Sequence, residues 1–444
     1  MDVLRFPWSF FNERRILGGT AILALTQVAA SVAGLVRDRL LNQTFPREVT
    51  DTFFAAFRPS DFLFQTCILS ALGTVLVPLL AGHRAHGRQT EMDRLLSATL
   101  HAGAVAFGAI ALLLAIVFPW VAPWLVQFEG DQLALYIQLG RLALLSNFLF
   151  VFGTTLGQYL ITVQRFWIYG LTPILYTCGT ILGTVYLTRF FGELGPMLGT
   201  LLGAAVYALL RYIAAFRAGA RLPLGVFWDP HFPSMGVLML PRVLSLGALQ
   251  VQLLVFDAIG SGLGAGAITV NAAARNFQSV AVGAVGIALA QAVYSPLSQA
   301  YARGDQQRFR RTLLLAIGAT LLLTIPSAVA LALLAPVAAA LVHLTASLPL
   351  FSVCLAVYAL SIPLDSMNHV LLRARYARRD TLGPALWTVA NGVVSMATAF
   401  LLSSRIGPAA IAAGFLAGQA VQAAGLGVAA LLIAYRPVAE HSRS

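Results

Sequence analysis

Lysine is absent from this chain of 444 residues: all 29 basic side chains are arginine, set against 17 acidic ones. Charged residues make up only 10% of the chain, whereas soluble domains carry about 25%. That scarcity excludes a cytosolic enzyme with one compact core, and a hydrophobic content of 59% excludes disorder. Cysteine is scarce too. Cys67, Cys178 and Cys354 all fall inside apolar runs, so neither a disulfide framework nor a cysteine metal centre is expected. Without lysine, no G-x-x-x-x-G-K-[ST] phosphate loop can form, which excludes ATP-driven transport by this chain alone. No nucleophile–base–orienter set is recognisable either, so the expectation is a protein that is not an enzyme and holds no metal or cofactor. The net charge of +12 does not point to nucleic acid, because the arginines are spread thinly between long apolar runs.

What the sequence does contain is membrane-length apolar segments, and mean hydropathy is +0.81. A spanning helix needs roughly 20 apolar residues. About twelve such stretches occur, near 16–36, 51–82, 95–117, 131–160, 167–189, 196–216, 237–260, 267–298, 312–343, 348–372, 382–403 and 408–434. The fold class expected is an all-α polytopic membrane protein of about 12 helices in two six-helix lobes related by a parallel pseudo-two-fold. Its parts would be an interfacial N-terminus (1–15), an N-lobe (16–217), a linker (218–236), a C-lobe (237–434) and a tail (435–444). Phe6, Trp8, Phe10 and Phe11 read as interfacial anchors. With the N-terminus cytoplasmic, inside segments hold 19 of the 29 arginines and outside loops hold 5. That asymmetry follows the positive-inside rule and predicts an inner-membrane protein with both termini cytoplasmic.

The two halves repeat. Ala55-Ala56-Phe57-Arg58 returns as Ala272-Ala273-Ala274-Arg275, and Pro78 as Pro296. Ala122-Pro123 recurs as Ala335-Pro336, Pro173 as Pro384, and Gly195-Pro196 as Gly407-Pro408. Six spans per half gives both halves the same orientation, a plan used by transporters that rock two lobes around a central substrate.

Charges inside spans are the functional candidates, since each costs on the order of 2.5–3.5 kcal/mol unless it meets a cavity or partner. Arg58 and Arg275 are repeat mates, while Arg37 and Asp38 close the first span and Asp51 opens the second. If the lobes face each other, Arg37, Arg58 and Arg275 converge on one cavity, and guanidinium groups are suited to phosphate oxygens. The competing reading pairs Arg58 with Asp61, and Arg37 with Asp38 or Asp51. Asp257, with Asn391 and Ser395, offers oxygen ligands for a coupling Na+ or H+, although Asn and Ser also serve as interhelical glue. Arg211 and Arg242 are expected to snorkel or pair near span ends, and Arg141 is read the same way. His101, His343 and His369 are read as single buried or interfacial histidines.

Gly34-Leu35-Val36-Arg37-Asp38, then Thr50-Asp51-Thr52-Phe53-Phe54-Ala55-Ala56-Phe57, then Val77-Pro78 resemble the opening of the MurJ (MviN) lipid II flippase family. That family belongs to the multidrug/oligosaccharidyl-lipid/polysaccharide (MATE-like) exporter superfamily. The resemblance continues through Ala122-Pro123-Trp124, Arg165-Phe166, Ala274-Arg275, Ile325-Pro326-Ser327-Ala328-Val329-Ala330-Leu331 and Tyr376-Ala377-Arg378-Arg379-Asp380. It implies two lobes around a cationic cavity and movement of lipid-linked peptidoglycan precursor between leaflets, with a role in cell-wall synthesis and cell shape. By that resemblance Arg37, Asp38, Asp51, Arg58 and Arg275 bind substrate. Asp257, Asn391 and Ser395 are the nearest counterparts of a sodium site. The implied partners are a polyprenyl-linked anionic lipid, membrane lipids and cell-wall synthesis proteins, with the chain a monomer. Ser31 and Gln65 stand where the family commonly carries arginines, and two further helices that hold the lipid tail are expected to be missing. Two alternatives stay open: a flippase for another lipid-linked glycan or a MATE-like exporter, and a non-transporting membrane partner.

Overall fold

The structure is a computed structural model, and it describes residues 13–70 and 72–435. The aromatic anchors near the N-terminus and the tail from Arg436 to Ser444 lie outside the described residues. Among those residues every regular element is helical. The first half comprises α1 (Glu13–Thr44), α2 (Arg47–Leu63), α3 (Val77–Ala85), α4 (Gln89–Leu125), α5 (Gly130–Thr162), α6 (Phe166–Leu182), α7 (Thr188–Phe191) and α8 (Gly195–Arg217). The second comprises α9 (Phe232–Ser261), α10 (Ala267–Ala281), α11 (Ala288–Ala302), α12 (Gln306–Leu333), α13 (Ala335–Leu341), α14 (Leu348–Ala377), α15 (Leu382–Ile406) and α16 (Ala409–Tyr435).

Nine segments of the described residues are long and apolar enough to cross a membrane, and one of them, Phe166–Arg217, contains two helices in succession. Adding α1 and the charged rod from α2 through α3 gives twelve spans, the number read from the sequence. The helices outrun their apolar runs: α4 has 37 residues, or about 55 Å at 1.5 Å per residue, against a hydrocarbon core of about 30 Å. Apolar counting stops at the first charge, whereas a helix continues into the headgroup layer.

The repeat is visible in the backbone. Wide π turns interrupt the second span at Phe64–Leu69 and the eighth at Val282–Ile287, 218 residues apart at both ends. Such turns are rare and collect at functional sites. Left-handed residues also recur, at Gly87 and Gly304, at Gln164 and Arg379, and at Gly192 and Gly407.

The chain forms two compact units, each drawing on separated stretches: 1–41, 67–116 and 138–239 in the first, 42–66, 117–137 and 240–444 in the second. In the first unit α6 and α8 pack closely. Gly179 on α6 and Gly183 just past its end meet Gly199 and Gly203 on α8, where any Cβ would strike the facing backbone, the small-residue crossing that lets spanning helices approach. Thr180 and Thr200 share a 2.6 Å hydrogen bond across it. Of the two outcomes expected of Arg211, snorkelling or pairing, the side chain takes the second, with partners inside the protein. It is 2% exposed and donates to Thr172 Oγ1, Tyr207 OH and the carbonyls of Gly153 and Tyr169 at 2.6–3.0 Å. Gly157 makes room for it, since a Cβ there would collide with the guanidinium. Carbonyls and the faces of Tyr169 and Tyr207 take the place of a carboxylate.

In the second unit α14 is the central element, packed against α10, α11, α12 and α16, with α15 along α16. Tyr358, Phe351 and Ile362 form its buried side. Gly199→Val should force α6 and α8 apart at a cost of about 1–3 kcal/mol, read as a lower unfolding temperature in detergent. Gly318→Ala, where a Cβ meets nothing within 4 Å, should leave that temperature unchanged or raise it.

Candidate functional site

Asp51, on α2, spends its charge on a helix terminus. Its carboxylate is 2% exposed and accepts from Gly266 N at 2.6 Å, Thr269 N at 2.7 Å and Thr269 Oγ1 at 2.6 Å. Gly266 is the N-cap of α10, with φ 90°, a left-handed conformation suited to glycine. The first amides of a helix lack intrahelical partners and carry partial positive charge. Here a carboxylate from 215 residues earlier in the chain supplies the cap. Further ties between first-half and second-half residues of this unit surround it. Asn42 donates to Val342 O at 2.8 Å and Arg47 to His343 O at 3.0 Å. Gln127 N donates to Ser261 Oγ at 2.8 Å.

Two turns along α2 from Asp51, Arg58 Nε donates to Asp257 Oδ2 of α9 at 2.7 Å, with the side chains 15% and 13% exposed. The pair joins the two repeats, and Asp61, the partner weighed from sequence, contributes at longer electrostatic range. Arg275, the repeat mate of Arg58, lies within electrostatic range of Arg58, Asp257 and Tyr358. It makes no hydrogen bond or ion pair among the described residues. Two guanidinium groups thus share the Asp257 carboxylate, one by a hydrogen bond and the other at longer range. Arg275 also lines a cavity of about 420 Å³ whose walls include Gln252, Gln278, Asp365, His369, Asn391 and Gln422.

Arg37 and Asp38 belong to the first unit, where Arg37 Nε and Nη2 donate to Asp38 Oδ1 at 2.9 and 2.7 Å. This is one of the pairings weighed from sequence. Asp257 shares no hydrogen bond or ion pair with Asn391 or Ser395 among the described residues. Ser395 Oγ donates to Asn391 Oδ1 at 3.1 Å, and Asn391 Nδ2 donates to Gln422 Oε1 at 2.7 Å, the geometry of interhelical glue. Gly418 closes over both residues, where a Cβ would collide with them. Among the described residues no group of three or more His, Cys, Asp or Glu side chains is placed to hold a metal ion. Sequence reading passed over Asp365. Its signal was an acidic residue four positions before His369 in an apolar span, a spacing that puts both on one helix face. His101, by contrast, is tied by Nδ1 to Val226 O at 3.0 Å.

Comparison with known proteins gives this arrangement a lineage. A probable lipid II flippase MurJ of Vibrio cholerae serotype O1 is 26% identical over 321 residues, covering 68% of this chain and 60% of the relative, so the match spans less than two thirds of that protein. A solved lipid II flippase MurJ in an inward closed conformation superposes with a TM-score of 0.77 at 19% identity, over 93% of this chain and 87% of that one. An inward-facing multidrug resistance MATE family transporter of the MOP superfamily gives 0.79 at 16% identity, over 91% and 94%. At such identities the structural likeness shows the fold alone, a bundle of membrane-length helices. The family model for the lipid II flippase MurJ matches residues 45–435, nearly the whole of the described chain, and the chain belongs to the MurJ family.

Proposed function

We propose that this protein is a flippase that moves a polyprenyl-diphosphate-linked peptidoglycan precursor, lipid II, across the cytoplasmic membrane by alternating access. The observation that carries the reading is Arg275. It is a membrane-embedded guanidinium without an ion-pair partner among the described residues, on the wall of a cavity of about 420 Å³. A diphosphate supplies the missing charge and matches the guanidinium fork. Arg58 is held in place by Asp257 and available to share the anion, and Arg37, steadied by Asp38, is a further cationic contact of the same cycle. Asp51 acts as a latch between repeats. No covalent step is required, and the hydrophobic tail remains in lipid while the head group crosses.

The arginine distribution supports an orientation with both termini in the cytoplasm. Coupling to the membrane potential or to a cation gradient would drive the cycle, each elementary charge contributing about 2.3 kcal/mol per 100 mV. Ser31 and Gln65, neutral where the family commonly has arginines, favour as a second reading a lipid-linked glycan with a less charged head group.

Expression in a strain depleted of its lipid II flippase should restore growth. Arg275→Ala, present in the membrane at equal level, should restore less than a tenth of it. Failure of the intact protein to rescue despite good expression would contradict lipid II as the substrate. The Arg58–Asp257 pair makes a separate prediction. Arg58→Ala takes the hydrogen-bonded partner from the Asp257 carboxylate, leaving it only Arg275 at longer range, and should lower the unfolding temperature. The double variant Arg58→Ala/Asp257→Ala should recover most of that loss, and a double variant no better than Arg58→Ala would show that the two side chains are not coupled.

A further inference from the structure

Asp365 and His369 stand one turn apart on α14, on the wall of the cavity that Arg275 also lines. Asp365 is aimed by α10: Gln278 Nε2 donates to its Oδ2 at 2.9 Å, and Ser279 Oγ donates to Gln278 Oε1 at 3.4 Å. The amide is thereby turned so that its nitrogen meets the carboxylate. The other oxygen, Oδ1, faces His369 Nε2 at 3.7 Å, and the two side chains are 17% and 36% exposed. A carboxylate and an imidazole are thus held within reach of each other and of the cavity.

Their surroundings leave the pair to set its own charge. Arg275 reaches the cavity from α10, one turn before Gln278, and Tyr376 from α14 itself. Arg242 on α9 lies in electrostatic range of Tyr376, and Arg373 is held over the ring of Tyr294. α15 and α16 contribute neutral Thr388, Asn391, Gln419 and Gln422. Two buried polar atoms on the cavity wall, Asn368 Oδ1 and Gln252 Nε2, have no hydrogen-bond partner. Buried polar groups seldom go unsatisfied, and a polar cavity of this size has room for the water that would serve them and carry protons.

We propose that Asp365 and His369 form a proton-binding site whose occupancy is linked to that of an anion at Arg275. The inference rests on the anionic-lipid reading and names the coupling ion. Without the proton the dyad carries a net charge of −1 on the wall of the cavity that Arg275 also lines, which repels a phosphate entering there. With one proton shared by carboxylate and imidazole the dyad is neutral, and the full charge of Arg275 faces the ligand. Linkage is reciprocal, so a ligand that binds better to the protonated site must draw a proton in when it binds.

The test is calorimetric titration of the full chain in lipid nanodiscs with geranylgeranyl diphosphate at pH 7, in two buffers of different ionisation enthalpy, with heats from empty nanodiscs subtracted. The wild type should take up about one proton per diphosphate bound, equally in sodium and in choline salts. Asp365→Asn and His369→Gln should bind with no net uptake. If Asp365→Asn does not fold, His369→Gln carries the test alone. No binding by the wild type, binding without proton uptake, uptake that survives in His369→Gln, or uptake that requires sodium would each overturn the proposal. Rescue of the depleted strain without proton uptake would remove the dyad and keep the flippase reading. Proton uptake without rescue would keep the dyad and remove lipid II as the cargo.

Discussion

The capping of α10 by Asp51 is the interaction on which the second unit depends. A carboxylate placed in a spanning segment costs about 2.5–3.5 kcal/mol on insertion scales, and α2 itself offers only Arg47, at electrostatic range. Three donors from the α10 terminus offset that cost, since hydrogen bonds to a charged group contribute about 1.5–3 kcal/mol each. The α10 terminus needs the carboxylate in turn, because its first amides are buried with it. The arrangement therefore holds only while first-half and second-half residues stay together. Such a contact makes a two-state joint, strongly favourable when made and strongly unfavourable when one partner is buried alone.

The same economy of charge governs the arginines. Arg58 has its carboxylate in Asp257, Arg37 has Asp38, and Arg211 has carbonyls and tyrosine rings. Each is a positive charge already provided for. Arg275 differs from them in lacking such a partner among the described residues and in facing a cavity. In a protein where charged residues are only 10% of the chain, that difference is why the proposed anion contact is centred on Arg275.

Much of this was legible in the sequence because it is periodic. The twelve spans followed from apolar length. The repeat followed from Ala55-Ala56-Phe57-Arg58 and Ala272-Ala273-Ala274-Arg275, and the paired π turns at 64–69 and 282–287 show that it extends to the backbone. Asp257 and Arg58 each stood out as a charge in a span, but their pairing across 199 residues did not. Asp51 was singled out as a charge without any sign that it caps a helix, since the cap is Gly266, in a turn that no apolar pattern marks. The partners of Arg211 were not legible, because position near a span end says nothing about the glycine opposite it. Asp365 escaped notice because a single acidic residue in a long apolar helix resembles a tolerated charge until Gln278 is seen to hold it.

The central claim is that the Asp51 contact is a latch that the protein makes and breaks. Its most direct test is the distance between spin labels at Phe45 and Leu263, in the turns beside α2 and α10, measured by double electron–electron resonance in reconstituted protein. The latch predicts that the wild type is dominated by a short distance and that Asp51→Asn moves most molecules to a longer one. A short distance unchanged by Asp51→Asn would contradict it.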